Sequence, residues 1–182
     1  MELALFPDIP LWWHACGITL ITLLFLLNGR AHASHIIVVA VTQLPGVILH
    51  ESAHLLAGIL FRAVPRSFSL IPRRNGQGGW TLGSVEFGRI TAFNAVPIAL
   101  APLCLLPLAY GVFRYWFLWF STTLSHTLLL YVSLFLLVYN ALPSRQDMRV
   151  ACNWKSILLY SIIGGVLGCL LYFVFHSGVI SP

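Results

Sequence analysis

Long apolar stretches that contain almost no charged residues recur along this chain, and they limit its possible folds more than any other feature. Only 8% of the 182 residues are charged and 59% are hydrophobic, whereas a soluble domain usually carries about 25% charged residues. Ten basic and five acidic side chains could not cover a water-facing surface without exposing large apolar patches. The pattern therefore excludes an ordinary soluble domain and a disordered chain, and it predicts that the chain folds in a lipid bilayer.

Five of these stretches are long enough to cross a bilayer as helices, which requires about 20 apolar residues each. They cover residues 11–28, 36–61, 91–113, 116–142 and 156–176. The loops between them leave no room for a separate soluble domain, so we expect one membrane-embedded domain over residues 1–182. The predicted fold class is an all-α polytopic membrane protein with about five transmembrane helices.

Basic residues are distributed unequally between the two sides that these five spans define. One side carries eight of them and the other carries only Arg30 and Arg114. The eight are Arg62, Arg66, Arg73, Arg74, Arg89, Arg145, Arg149 and Lys155. The positive-inside rule makes the richer side cytoplasmic, which predicts an integral protein of the cytoplasmic (plasma) membrane. The net charge of +5 fits contact with an anionic lipid surface, so we expect no nucleic-acid partner.

The segment between the second and third spans is the one part without helical character. Residues 67–72 and 80–87 alternate apolar and polar side chains on either side of a turn-rich stretch at 73–79. This pattern predicts a small membrane-associated β-hairpin with a loop longer than two residues. An irregular surface loop is the alternative. The edge of such a hairpin could hold an extended peptide beside a site in the membrane.

The second span contains the sequence His50-Glu51-Ser52-Ala53-His54, an HExxH pattern. On a helix, positions i and i+4 lie on one face, so both imidazoles can reach one metal ion. Glu51 can then accept a proton from a water molecule that Zn²⁺ activates, as in metal-assisted hydrolysis. Three ionisable side chains within five residues of a membrane helix are energetically costly. This cost favours a functional site over the alternative, a polar cluster packed between helices.

A catalytic zinc ion usually has a third protein ligand, and we predict that this ligand is Asp147. It follows the fourth span, and a chain that folds back after Pro143 could bring it to the depth of His50. The alternative for Asp147 is a surface ion pair with Arg145 or Arg149. The next candidates for the third ligand are Glu86 and Cys152.

Asn140 has two possible roles at this stage. Its amide could bind a substrate carbonyl or an oxyanion. It could instead cap the end of the fourth helix.

The HExxH pattern within a span, followed by Asn140-x-x-Pro143 and Asp147 at the end of a later span, resembles the site-2 protease family of intramembrane zinc metalloproteases. The resemblance covers about residues 36–155 and implies a minimal, divergent member. Met148 stands where the family has glycine after the aspartate, and Leu105 stands where it has asparagine. The family implies a core of three helices, formed by the second, third and fourth spans, and a membrane-associated hairpin at 67–87. The position of His50 along the second span separately predicts an active site in the cytoplasmic half of the membrane.

The function that these residues predict is hydrolysis of peptide bonds in membrane-spanning protein or peptide substrates. His50, His54 and Asp147 hold Zn²⁺ in this interpretation, and Glu51 is the general base. The family resemblance implies regulated intramembrane proteolysis. The rival is a non-catalytic metal-binding membrane subunit or a transporter. The intact Glu51 favours catalysis, because metal storage requires no base. The sequence leaves the oligomeric state open.

Overall fold

The computed structural model describes residues 9–34, 36–74 and 80–176. The chain is mostly helical, with four short strands between its second and third helices. The helices are α1 (Leu11–Ser34), α2 (Ile36–Leu60), α3 (Ala92–Ala99), α4 (Leu105–Trp119), α5 (Leu124–Ala141), α6 (Arg145–Ala151) and α7 (Trp154–His176). The strands are β1 (Pro65–Ser69), β2 (Arg73–Arg74), β3 (Trp80–Thr81) and β4 (Ser84–Phe87). The acidic residues Glu2 and Asp8 and positions 75–79 of the loop predicted at 73–79 lie outside the described residues.

Four helical stretches among the described residues are long and apolar enough to cross a membrane. They are Leu11–Asn28, Ala101–Trp119, Leu124–Ala141 and Trp154–His176. The predicted span at 36–61 forms α2, which has a sufficient length of 25 residues but is not among these four. It contains four strongly polar side chains, those of Gln43, His50, Glu51 and His54. These side chains make α2 the polar element of an otherwise apolar bundle.

The predicted third span is not one continuous helix. It is divided by a 3₁₀ turn at Ala101–Cys104, with Pro102 in the first turn of this segment. Proline has no N–H group, so it cannot continue the hydrogen-bond ladder of α3. Hydropathy alone does not detect this break, because every residue around it is apolar.

The boundary between the third and fourth spans is also corrected. The predicted end at residue 113 and the predicted loop around Arg114 fall inside α4, which continues to Trp119. The chain turns at 120–123 instead, and α5 begins after Thr123, whose side chain accepts a hydrogen bond from the backbone N–H of His126. A threonine N-cap of this kind fixes a helix start, whereas an arginine within an aromatic run does not end a helix.

The predicted hairpin is present as two short antiparallel sheets around the turn. Strand β1 pairs with β4, with Phe68 opposite Val85, and β2 pairs with β3, with Arg74 opposite Trp80. The prediction of antiparallel pairing between the two flanking segments is confirmed, but Arg73 and Arg74, which were expected in the loop at 73–79, form strand β2. The strands begin earlier than expected, at Pro65, and they are interrupted at 70–72. Pro72 in this gap cannot donate a ladder hydrogen bond.

Two glycines allow this hairpin to lie directly on α2. A Cβ atom at Gly58 of α2 would overlap the ring of Phe87, and one at Gly83 would lie 2.7 Å from Cγ of Glu51. On the helix these positions are about 10 Å apart, and on the hairpin they are about 13 Å apart. Strand β4 therefore runs alongside α2 in the same direction and covers the face that carries the HExxH residues.

An adjoining face of α2, which carries Gly46 and His50, packs against α5, and α5 also contacts α1 and α4. The buried apolar cluster lies between α4 and α5 and consists of Leu105, Ala109, Leu137 and Ala141. Because α6 follows α5 directly, this packing brings the start of α6 next to the middle of α2.

Candidate metal centre

Three side chains from two separate helices meet at one point. His50 and His54 lie one turn apart on α2, and their Nε2 atoms are 3.1 Å apart. From α6, Oδ2 of Asp147 lies 3.5 Å from Nε2 of His50, and Oδ1 lies 3.3 Å from Nε2 of His54. Two ligands of one tetrahedral zinc ion are about 3.3 Å apart at ordinary bond lengths. The group could therefore hold a metal ion.

Backbone carbonyls fix which nitrogen of each imidazole faces this point. Nδ1 of His50 donates to the carbonyl oxygen of Asn140 at 2.7 Å, and Nδ1 of His54 donates to that of Ile98 at 2.8 Å. A carbonyl oxygen can only accept, so both Nδ1 atoms carry the hydrogen and both neutral rings present a bare Nε2. Two lone pairs and a carboxylate then face one another, an arrangement that a cation stabilises and that metal-binding histidines adopt.

Both carbonyls lie in the last turn of a helix, that of Ile98 in α3 and that of Asn140 in α5, where they receive no i+4 hydrogen bond. In an α-helix the carbonyl of residue i accepts the N–H of residue i+4. The partner for Ile98 would be Pro102, which has no N–H group. The partner for Asn140 would be Ser144, but its N–H donates to Oδ2 of Asp147 at 2.7 Å. The i+3 position after Asn140 is Pro143, so a 3₁₀ hydrogen bond is absent there as well.

Asp147 is held in place by the N-terminus of its own helix. The Ser144 hydroxyl accepts from the Asp147 N–H at 3.2 Å, while the Asp147 carboxylate accepts from the Ser144 N–H. These two hydrogen bonds form a capping box. Burial alone would raise the pKa of Asp147, whereas the hydrogen bond from the Ser144 N–H favours the ionised carboxylate and lowers that pKa. The side chain is therefore an ionised carboxylate at physiological pH.

Glu51 lies beside this group and is 8% exposed. It lines the same cavity of about 1050 Å³ as the two histidines and Asp147. The backbone of Gly83 covers it, since a Cβ atom there would lie 2.9 Å from Oε1 of Glu51 and 2.8 Å from Cγ1 of Val47. Only a residue without a side chain fits above Glu51 at this distance.

The structure brings together all four residues that the sequence singled out. The carboxylate of Asp147 faces the two histidines, and its described ion pairs are with them rather than with Arg145 or Arg149. The two fallback candidates lie elsewhere in the described part. Glu86 lines the cavity from β4, and Cys152 is the C-cap residue of α6.

Asn140 contributes through its backbone more than through its amide. Its side chain donates to the carbonyl of Leu136 at 2.9 Å and to Oε1 of the buried Gln43 at 3.3 Å. A Cβ atom at Gly46 would overlap this amide, so Gly46 allows α5 to approach α2 closely. In the structure the amide is used between helices, whereas the carbonyl orients His50.

The sequence reasoning missed the residues that orient the ligands, namely Ser144, Gly83 and the carbonyl of Ile98. Two of them had a usable signal. Ser144-x-x-Asp147 has the spacing of a capping box, and Pro102 lies four residues after Ile98. The close approach of Gly83 to Glu51 had none, because it depends on how the hairpin packs.

No family model, curated protein or solved structure matches this chain. The functional conclusion therefore depends on the residues of the site themselves.

Proposed function

We propose that this protein is an intramembrane zinc metalloprotease that hydrolyses peptide bonds of membrane-spanning substrates. One observation carries the proposal. The candidate ligand atoms of His50, His54 and Asp147 lie within 4.8 Å of one another, in the cavity that Glu51 also lines. These three residues would hold Zn²⁺, and Glu51 would act as the general base. The spacing of the histidines and the adjacent glutamate are what metal-assisted hydrolysis requires.

The chemistry divides between the metal and the side chains. Bound zinc would polarise the scissile carbonyl and lower the pKa of a water molecule. Glu51 accepts the proton of the attacking water and passes it to the leaving amine. Its burial beneath Gly83 restricts the positions that the carboxylate can adopt. The carbonyls of Asn140 and Ile98 keep both imidazoles in the tautomer that binds metal.

The membrane setting follows from the four apolar helical stretches. Together with α2 as a fifth span, they form a polytopic bundle in the cytoplasmic membrane, and the basic loops face the cytoplasm. In this arrangement the protein is a minimal relative of the site-2 proteases and the hairpin lies in the cytoplasmic leaflet. A substrate helix hides its carbonyls in hydrogen bonds, so it must unwind locally, and the edge of the sheet can pair with the unwound segment.

The direct test is a metal and cleavage assay on the purified protein in detergent. We expect about one zinc ion per chain and cleavage of a synthetic transmembrane peptide, with both removed by a chelator and restored by added Zn²⁺. Mass spectrometry of the products locates the cleaved bond. A protein that binds no metal, or that cleaves equally well after chelation, would contradict the proposal.

The rival function, a non-catalytic metal-binding subunit or a transporter, uses the same three ligands. In this function Glu51 has no role, and the close packing of Gly83 against Glu51 is not required. Bound metal without any cleavage would favour it. Loss of cleavage with zinc retained on removal of the Glu51 carboxylate separates the two functions.

Substituting Gly83 tests whether the position of Glu51 matters. Gly83 does not have the left-handed φ that would itself strain alanine, so space alone decides the outcome. The new methyl group would lie 2.7 Å from Cγ of Glu51 and 2.8 Å from Cγ1 of Val47, so the Glu51 side chain and the hairpin above it must shift apart. We expect Gly83→Ala to slow cleavage by about tenfold to hundredfold and to leave the zinc content unchanged.

The matched control is Gly164→Ala in α7, where an added Cβ meets nothing within 4 Å. It should cleave at the original rate. Equal rates for Gly83→Ala and the unchanged protein would mean that Glu51 needs no fixed position, which the general-base assignment does not allow.

Substituting Ser144 tests the capping box that orients Asp147. Loss of the hydroxyl removes one of the two hydrogen bonds and leaves Asp147 freer to turn away from the histidines. We expect Ser144→Ala to weaken zinc binding by about tenfold, measured by competition with a chromogenic chelator. Ser133→Ala is the control, because Ser133 bonds to the carbonyl of Leu129 within α5, away from the site. Unchanged zinc affinity in Ser144→Ala would show that the cap does not position the ligand.

A further inference from the structure

The cavity next to the metal centre is lined by three arginines that have no role in holding the metal. Arg66 comes from β1, and Arg145 and Arg149 come from α6. Apart from Glu51 and Asp147, the acidic residue in the described lining is Glu86. Three guanidinium groups against one carboxylate leave two positive charges outside the metal group, and arginine keeps its charge at every relevant pH.

These charges are not neutralised within the described part of the chain. No described carboxylate lies within ion-pair distance of the three arginines, since the ion pairs there join Asp147 only to His50 and His54. Arg145 and Arg149 are also four residues apart on α6, a spacing at which like charges destabilise a helix. The arrangement leaves the cavity positively charged and open to an anionic ligand.

The three cavity arginines are exposed, as are the other basic residues of the same region, and they differ from those residues in bordering the cavity. Arg62, Arg89 and Lys155 are exposed but do not line the cavity. They are free to contact lipid headgroups as basic residues at a membrane face do. Arg66, Arg145 and Arg149 instead border the space that Glu51 borders, so a peptide bound at the metal must pass close to them.

The charge of the cavity has a direct consequence for membrane-spanning substrates. The cytoplasmic ends of transmembrane segments usually carry lysine and arginine. Such an end would be repelled by three arginines, whereas an acidic end would be attracted. A site that repels the basic ends of most transmembrane segments gains specificity for the few segments with acidic ends.

We infer that the cavity selects substrate segments that carry acidic side chains within a few residues of the scissile bond and rejects those with basic side chains there. The inference rests on the proposed protease function and names its substrate class. Arg66, Arg145 and Arg149 are the specificity-determining residues. They act on substrate binding and leave the metal and Glu51 unchanged.

Binding of three synthetic peptides tests this inference. Each contains the same apolar segment of about 20 residues, an amidated C-terminus and a short polar stretch with two consecutive Glu, Gln or Lys residues. Fluorescence anisotropy measures their binding to the Glu51→Gln protein in zwitterionic detergent, so that no cleavage occurs. We expect the Glu peptide to bind about tenfold more tightly than the Lys peptide, with the Gln peptide between them.

Two sets of variants connect this difference to the cavity. Replacing Arg66, Arg145 and Arg149 together by Gln should reduce the difference between the Glu and Lys peptides to about twofold or less. The single reversal Arg149→Glu should shift the preference toward the Lys peptide. Arg89→Gln removes one exposed charge outside the cavity and should leave the order intact. Each variant is first checked for its helical circular dichroism and its zinc content.

The possible outcomes separate this inference from the proposed function. Equal binding of all three peptides overturns the inference, and so does an Arg89→Gln effect as large as that of the triple variant. Loss of the difference on adding anionic phospholipid also overturns it, because lipid headgroups would then occupy the arginines. If the unchanged protein cleaves all three peptides at equal rates, the inference fails and the protease function stands. If it binds them in the expected order and cleaves none, the protease function fails instead.

Discussion

Glu51→Gln should retain zinc and the fold and lose nearly all cleavage activity. The amide is nearly the same shape as the carboxylate but cannot accept the proton of the attacking water. General-base catalysis contributes about 10²–10⁴-fold to such reactions, so we expect kcat to fall by that factor. The measurement is the cleavage rate of a synthetic transmembrane peptide, with the zinc content determined on the same preparation.

The control for this substitution is Glu86→Gln, which removes a carboxylate from the lining of the same cavity without touching the metal group. It should keep the rate within a few-fold of the original. A Glu51→Gln protein that still cleaves at a substantial rate would rule out the hydrolytic role of Glu51 and promote the non-catalytic rival.

His54→Ala should lose both zinc and activity. His54 is the most deeply buried member of the metal group, at 5% exposure, and its ring is fixed by the Ile98 carbonyl. Removing it leaves two ligands, one fewer than a catalytic zinc site uses. We expect the zinc content to fall from about one ion per chain to the background of a chelated sample, as measured by elemental analysis.

His176→Ala is the matched control, since this exposed histidine at the end of α7 stacks on Tyr172, outside the cavity lining. It should keep a full complement of zinc. Asp147→Asn completes the series by testing the third ligand and should weaken zinc binding severely. Full zinc binding by the Asp147→Asn protein would transfer the third-ligand role to another residue, first of all Glu86, which lines the same cavity.

The sequence predicted the parts of the fold that depend on local pattern. Helices α2 and α7 begin and end within two residues of the apolar stretches that predicted them, whereas α1 begins as predicted and continues six residues beyond the predicted end at 28. The break within the third span and the boundary between the third and fourth spans were not predicted, because Pro102 removes one hydrogen bond and Thr123 supplies one inside stretches that are largely apolar or aromatic. Average hydropathy contains no information on such bonds.

The ligands of the candidate site could also be predicted from the sequence, whereas the backbone groups that orient them could not. The pairing of His50 with His54 could be predicted because both lie on one helix at a fixed spacing. Asp147 could be proposed because the chain has only five acidic residues, so few alternatives existed. The carbonyls that orient the imidazoles lie 44 and 90 residues away from their histidines. Every residue type has a carbonyl, so no residue letter marks these two, and only the packing of α2 against its neighbours identifies them.

The two prolines beside these carbonyls have a consequence for anyone who wishes to build such a site elsewhere. Transferring the HExxH residues and an aspartate to another helical bundle would supply the ligands, but the carbonyls within the helices of the new scaffold would already be bonded, and only those of a last turn are available. Each imidazole would then be free to rotate or to change tautomer. A designer would need to transplant the helix endings with their missing N–H groups as carefully as the histidines. In this protein, Pro102 and Pro143 belong to the minimal set of residues that defines a metal site.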